Sequence, residues 1–315
     1  MTFLAAAALP MLEGGAGASR VIAGSSGQLY IFGEVLFDHF PDGSRVLGGA
    51  PFNVAWHLQA FGLAPRFISR VGNDPEGDEV LEAMAGWGMD TRHLQRDTQR
   101  PTGRVNVSLV AGEPSYDIVA DCAYDAIEPI PLQSCRLLYH GSLAARSETS
   151  ADALRAVRKA VDGSVFVDVN LRPPWWQRHR LDAILVGADW IKLNQDELAL
   201  LGTAGPGVDP GRALLEHYDL RGLLVTRGAG GAELLQAGGE TLAIAPGQAT
   251  EVVDTVGAGD AFSAILLLGL CRGWPLPVTL RRAQDFASAV VGRRGATIAE
   301  EDFYLTFSRQ WQSSD

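Results

Sequence analysis

From Leu29 onward the chain alternates short apolar runs with helix-like segments, and this rhythm constrains its fold more than any other feature. Residues 29–32, 66–71, 137–140, 165–169, 190–193 and 223–226 read as strands. Residues 53–61, 77–87, 151–161, 181–186 and 211–218 read as the helices between them. A helix between two strands returns the second strand parallel to the first. The expectation is an α/β protein with three layers, α/β/α, around a mostly parallel central sheet. Near the end, Ala258–Arg272 and residues 279–293 read as two long helices, the first apolar almost all round and therefore central.

Two segments break the rhythm. Residues 36–47 are polar and turn-rich, with Pro41-Asp42-Gly43. Residues 103–111 and 116–120 alternate about a tight turn at Gly112-Glu113-Pro114, as a hairpin does. Val105, Val107 and Leu109 share one face of that hairpin, and Asn106 and Ser108 the other. A hairpin outside the main sheet needs a surface to pack on. We expect these segments to form a small β lid, or a contact between two subunits.

The 315 residues suit one large α/β domain or two ordinary ones. We read residues 28–315 as a single domain after a mobile extension, residues 1–27. Phe3 to Leu12 is apolar and faintly resembles a signal peptide, but no Lys or Arg precedes it and it is too short to span a bilayer. No later segment is a transmembrane candidate, and a membrane partner is not expected. The formal net charge is −11 and no run of Lys or Arg offers a nucleic-acid stripe. The three cysteines are far apart and form no C-x-x-C, so a disulfide framework or structural zinc is not expected and a cytoplasmic setting is.

The chemistry concentrates at Asp254-Thr255-Val256-Gly257-Ala258-Gly259-Asp260-Ala261-Phe262. A small-residue turn there precedes a long helix, exposing unpaired N–H groups at the positive end of a helix dipole, which binds phosphates. A carboxylate in that first turn repels phosphate unless it faces the attacking group. The stretch therefore points to phosphoryl transfer to a hydroxyl. N–H groups of Gly257, Ala258 and Gly259 would hold the transferred phosphoryl group, and Asp260 would take the proton. An isolated Asp has a pKa of about 3.9, and a loose transition state asks little of the base.

Five further stretches each have a functional and a plain structural reading. In Gly48-Gly49-Ala50-Pro51-Phe52-Asn53, a ligand touches bare backbone at Gly49 and the Asn53 amide bonds a hydroxyl, or Asn53 is simply an N-cap. Asp38, beyond the first strand, accepts from sugar hydroxyls or is a solvated loop acid. In Asp168-Val169-Asn170-Leu171-Arg172 three polar side chains point one way and reach substrate or phosphate, or face solvent. Asn194 and Glu197 hold Mg²⁺ through waters or form a capping box. Thr226-Arg227-Gly228-Ala229-Gly230-Gly231 lines a nucleotide or turns a hairpin. Walker A, G-x-G-x-x-G and H-E-x-x-H motifs are absent, which opposes a dinucleotide oxidoreductase.

Taken together, these positions resemble the PfkB (ribokinase-like) family of carbohydrate kinases. Gly48-Gly49-Ala50-Pro51-Phe52-Asn53-Val54-Ala55 looks like its N-terminal signature and Asp254-Thr255-Val256-Gly257-Ala258-Gly259-Asp260 its C-terminal one, in order and with Asn194 and Glu197 between. Within the family, Gly33-Glu34 with Asp38, the Asp168–Arg172 stretch and Glu113-Pro114-Ser115-Tyr116 look most like fructokinases. The resemblance implies a ribokinase-like fold, with Asp260 as base and Gly257, Ala258 and Gly259 as anion hole. It implies Asp38, Gly49 and Asn53 on the sugar, Arg172, with Asn170, on sugar or phosphate, and Asn194 and Glu197 near Mg²⁺. Thr226, Gly228 and Gly231 would line ATP. A monovalent cation such as K⁺ would sit beside the anion hole, near Asp254, Val256 and Gly295. It also implies a homodimer through the lid. Arg227 departs from the small or aliphatic residue that is commoner there.

The expectation is an ATP-dependent sugar kinase, with fructose leading and a terminal hydroxyl as acceptor. Ribose, a 2-keto-3-deoxy sugar acid, a nucleoside or an aminoimidazole riboside are the alternative acceptors. A non-catalytic sensor on the same fold is the alternative from another class, opposed by the intact Asp260.

Overall fold

The computed structural model describes residues 27–110, 113–202, 205, 207–246 and 252–312. The N-terminal extension, apart from Gly27, and Gly112 of the expected turn lie outside the described residues. The chain opens with strand β1 (Gln28–Phe32), then β2 (Leu36–His39), β3 (Arg45–Gly48), helix α1 (Ala50–Ala60), β4 (Arg66–Gly72), α2 (Pro75–Gly86) and β5 (Leu94–Asp97). Next come β6 (Gly103–Val110), β7 (Glu113–Ile118), β8 (Cys135–His140), α3 (Glu148–Lys159), β9 (Ser164–Asp168) and α4 (Arg178–Leu185). They are followed by β10 (Trp190–Asn194), α5 (Gln195–Leu201), α6 (Pro210–His217), β11 (Gly222–Thr226), β12 (Ala232–Gln236) and β13 (Thr241–Ile244). Three helices close the chain: α7 (Ala258–Arg272), α8 (Leu276–Val291) and α9 (Glu301–Gln312).

The main sheet has nine strands in the order β13-β12-β11-β10-β9-β8-β1-β4-β5. It is parallel from β11 to β5, with β12 and β13 added antiparallel at one edge. Its strands are apolar on both faces because both faces are covered. Along β1, Leu29 and Ile31 join the core under α1, α7 and α8, while Tyr30 and Phe32 join the core under α3. Helix α7 is buried without interruption from Ala261 to Leu270, as its all-round apolar sequence requires.

The remaining strands form a second, smaller sheet, β3-β2-β6-β7. The turn-rich segment 36–47 is therefore a hairpin, with Phe37 opposite Leu47, and β6 runs parallel beside β2. Glu113 and Pro114, expected in the turn, lie instead within β7, which pairs antiparallel with β6. Val46 Cγ1 of this sheet approaches Gly295 closely, 3.9 Å from where a Cβ would stand. The small sheet thus reaches from the end of β1 to the segment beside α7.

The alternating pattern does not reveal β5, β12, β13 or α9. Strand β5 (LQRD) is polar between its two buried ends, and β13 is half-exposed, so neither carries a clear apolar run. Among the described residues no helix is long and apolar enough to cross a membrane.

Candidate active site

Helix α7 begins at Gly257, which adopts a left-handed conformation (φ +82°). A Cβ there would lie 2.5 Å from Ala296 Cβ, so packing as well as conformation demands glycine. The first intrahelical bond runs from Ala261 N–H to Gly257 O at 2.8 Å. The N–H groups of Ala258, Gly259 and Asp260 therefore precede the ladder, and Ala258 makes only a 3.4 Å contact with Thr255 O. Asp254 braces this turn. Its Oδ1 accepts from Val256 N at 2.9 Å and its Oδ2 from Gly295 N at 3.0 Å.

Asp260, in the first turn, meets a residue 207 positions earlier in the chain: Asn53 Nδ2 donates to Asp260 Oδ2 at 2.8 Å. Helix α1 starts at Ala50 with Gly49 as N-cap, three residues before the expected start. Asn53 is thus no cap; its own N–H already bonds Gly49 O at 2.8 Å, which frees the side chain to point at Asp260. The amide's Oδ1 is buried with no partner. Burial pushes the Asp260 carboxyl up to about 6, against the Asn53 hydrogen bond and the Lys192 charge, which lower it. That is well above the value expected for an isolated Asp, and nearer the working pH of a general base.

Asp38, on β2, is half-buried, and burial likewise raises its carboxyl to about 6, opposed by Arg172. A Cβ on Gly48 would lie 3.8 Å from both Asp38 Oδ2 and Asn53 Oδ1. Bare backbone at Gly48 therefore separates the two side chains. Gly49 is different: a Cβ there would fall 2.7 Å from Glu34 O, at φ +110°. The glycine at 49 is required by its packing on the end of β1, while Gly48 leaves open space beside Asp38 and Asn53.

The Asp168–Arg172 stretch does not present three polar side chains to one side. Strand β9 ends at Asp168, and Asn170 is left-handed (φ +40°), which breaks the alternation. Asp168 does not face solvent either. It is 3% exposed, and its Oδ2 accepts from Lys192 Nζ (2.6 Å), Ser263 Oγ (2.8 Å) and Tyr139 OH (3.2 Å). Lys192 Nζ also lies 3.5 Å from where a Gly259 Cβ would stand, so a buried ammonium underlies the start of α7. Arg172 is exposed, and its guanidinium makes no hydrogen bond or ion pair among the described residues. Its charge nevertheless acts on Glu34, Asp38 and Asp260, which places it over the same space.

Asn194 and Glu197 form the capping box of α5: Asn194 Oδ1 accepts from Glu197 N and Glu197 Oε2 from Asn194 N, both at 2.8 Å. Glu197 Oε1 accepts from Leu171 N at 2.6 Å, pinning the segment that carries Arg172. Both carboxylate oxygens are thus engaged by backbone. Thr226, Gly228 and Gly231 lie in the reversal between β11 and β12, where Arg227 N bonds Gly231 O at 2.8 Å. The departing Arg227 pairs with Glu233 at 2.5 Å. Among the described residues no three His, Cys, Asp or Glu side chains cluster as a metal site.

The carboxyl ends of the central strands thus collect a helix start with free N–H groups, a half-buried carboxylate beside it, polar groups from β2 and α1, and the Arg172 guanidinium. The sequence alone assigns no role to Lys192, Tyr139, Ser263 or the Glu34 side chain. A lone lysine within the buried strand Trp190-Ile191-Lys192-Leu193 is the signal that could have found the first, because a buried ammonium needs a partner.

The model of the pfkB family of carbohydrate kinases matches residues 28–302. A fructokinase of Klebsiella pneumoniae is 34% identical over 298 residues, 87% of this chain and 96% of the relative. A fructokinase of Escherichia coli is 32% identical over 78% of this chain and 85% of its own length. Among solved structures, fructokinase with bound ATP from Xylella fastidiosa superposes with a TM-score of 0.78 at 24% identity, covering 90% of this chain and 99% of that one. Aminoimidazole riboside kinase from Salmonella enterica, complexed with aminoimidazole riboside and an ATP analog, gives 0.74 at 26% identity, with 89% and 99% covered. The two sheets, the joined starts of α1 and α7 and these relatives agree: the chain is a sugar kinase of the pfkB carbohydrate kinase family.

Proposed function

We propose that this kinase transfers the γ-phosphoryl group of ATP to a terminal hydroxyl of fructose. The observation that carries the reading is the Asn53–Asp260 hydrogen bond, which joins the start of α1 to the start of α7. The sugar lies between Asp38 and Asn53, over the bare backbone of Gly48 and Gly49. Its terminal hydroxyl faces Asp260, which takes the proton as the hydroxyl attacks. Charge on the phosphoryl oxygens is held by the N–H groups of Gly257, Ala258 and Gly259, with Lys192 beneath and Arg172 above. Asn170 shares the Arg172 segment and borders the sugar. Thr226, Gly228 and Gly231 border the nucleotide. The small sheet closes over the sugar and excludes water, which otherwise accepts the phosphoryl group. Fructose is favoured by the named activity of the relatives that cover nearly the whole chain.

Mg²⁺ bound with ATP would neutralise phosphate charge; with both Glu197 oxygens engaged, Asn194 and Glu197 would hold such an ion only through water. Backbone around Asp254, Val256 and Gly295 fits K⁺ beside the anion hole, since the Asp254 carboxylate draws those segments together. The enzyme works in the cytoplasm on small molecules. Two copies pair through the open edges of the small sheet, where Tyr116 is exposed; sedimentation showing only monomer at micromolar concentration would count against pairing. A second reading, a 2-keto-3-deoxy sugar acid as acceptor, is favoured by one observation, the uncommitted Arg172.

An ADP-release assay over fructose, ribose, a 2-keto-3-deoxy sugar acid, a nucleoside and aminoimidazole riboside, with and without K⁺, tests the reading. Fructose should give the highest kcat/KM. Asp260→Ala should retain ATP affinity and lose about 10²–10⁴ in kcat, the range for a positioned acid–base group. Near-normal turnover by that variant refutes the role of Asp260.

A further inference from the structure

Glu34 follows Gly33 at the carboxyl end of β1, and nothing above gives its side chain a task. It is 3% exposed, and its Oε2 has no hydrogen-bond partner. A buried acceptor left unpaired costs about 1–3 kcal/mol, so the group calls for an occupant. Its backbone is fixed. A Cβ on Gly33 would stand 2.3 Å from Pro51 Cγ and one on Gly49 2.7 Å from Glu34 O, so this turn is pressed onto the first turn of α1.

The groups around Glu34 come from five places in the chain. Arg172 follows β9, Asp260 lies on α7 and Arg146 on the short turn after β8, and all three act on its charge. Tyr124, between β7 and β8, and Tyr139, on β8, feel Glu34 in turn. Arg146 is the last-named influence on Glu34 and, apart from a buried Nη1 with no partner, is engaged elsewhere. That guanidinium is held by both oxygens of Asp125 (2.7 and 2.8 Å) and lies between the rings of Tyr124 and Trp175. Lys192 is likewise committed to Asp168. The acceptor side of the site therefore brings together the carboxyl groups of Glu34, Asp38 and Asp260, and the charge acting on all three is that of Arg172, whose guanidinium has no ion pair among the described residues.

We propose that Glu34 is a specificity-determining residue: its Oε2 takes a hydroxyl of the acceptor, and with Asp38 and Asp260 it selects neutral polyhydroxylated sugars over sugar acids. A neutral sugar can donate to each carboxyl group, whereas an anionic acceptor meets their repulsion. The inference rests on the reading of the site given above and deepens it.

The test compares wild type with Glu34→Gln on fructose and on a 2-keto-3-deoxy sugar acid, from pH 6 to 8.5. Glutamine keeps the shape and removes the charge. The variant should raise the KM for fructose about tenfold, the low end of a lost hydrogen bond to a charged group, with a much smaller fall in kcat. Its kcat/KM for the sugar acid relative to fructose should rise at least as much. Glu34→Asp, which keeps the charge, should retain wild-type preference. An unchanged KM and an unchanged ratio, in a cooperatively folded variant with wild-type ATP affinity, overturn the inference alone. A wild type that prefers the sugar acid also overturns it while leaving the kinase reading intact. A wild type that phosphorylates no sugar overturns both.

Discussion

Removing the Asn53 amide should move the titration of Asp260 as well as slow the enzyme. Burial raises this carboxyl to about 6, and the Asn53 hydrogen bond is the foremost influence holding it down, ahead of Lys192. A hydrogen bond to a charged group contributes about 1.5–3 kcal/mol, equivalent to about 1–2 pKa units. Water entering the vacated space restores part of that, so Asn53→Ala should raise the carboxyl by about one unit. As the proposed base, Asp260 must be ionised to act, so activity should fall as pH drops through its pKa. The acidic limb of kcat/KM should then move from about pH 6 to about pH 7. At pH 6 wild-type Asp260 is half ionised and the variant's about one-tenth, an extra loss of about fivefold that vanishes above pH 8. Any loss remaining at pH 8.5 reports the missing contact to the sugar. Asn53→Asp, which sets a second carboxyl beside the first, should displace the limb further. The assay is ADP release from pH 5 to 9 at subsaturating sugar. If Asn53→Ala lowers activity equally at every pH, the amide does not tune Asp260.

Gly48→Ala and Gly49→Ala should behave oppositely despite being neighbours. A Cβ at 48 meets Asp38 and Asn53 at ordinary contact distance, so urea unfolding should be near wild type while the sugar KM rises at least about tenfold, equivalent to about 1.4 kcal/mol. A Cβ at 49 collides with Glu34 O at φ +110° and should destabilise the fold by about 1–3 kcal/mol or more; equal stability of the two variants contradicts this account. Glu34 offers a test in stability alone. Burial raises its carboxyl from 4.5 to about 7, so the native state holds this proton more tightly than the unfolded chain. Stability is then greatest below pH 4 with respect to this group and is lost as pH rises through 7. Glu34→Gln should therefore stabilise the protein by up to about 3 kcal/mol at pH 8.5 relative to its effect at pH 4. A stability difference independent of pH would mean the carboxyl is not strained when ionised.

Local chemistry made part of this protein legible in the chain. Alternating apolar runs and helical segments specify parallel strands covered on both faces, because each pattern repeats within a few residues. The start of α7 is equally local. Gly257, Ala258, Gly259 and Asp260 place free N–H groups and a carboxylate in one helical turn, whatever surrounds them. Asn194 and Glu197 stand three apart, and the capping box they form needs nothing further. The partners of the polar side chains were not legible. Asn53 reads as a helix cap until α7 arrives beside α1 and supplies Asp260. Asp168 reads as a solvent-facing strand end until β10 delivers Lys192 beneath it, and Glu34 has no role until the fold buries it at the end of β1. Strands β12 and β13 were hidden too: β13 is a half-exposed edge strand, and Glu233 and Gln236 cut short the apolar run of β12. Sequence determined most of the elements and the glycine-rich start of α7, since these depend on neighbours along the chain. Tertiary structure alone decided which buried charges meet and how far burial shifts Asp260, because pairing and desolvation are set by groups distant in sequence.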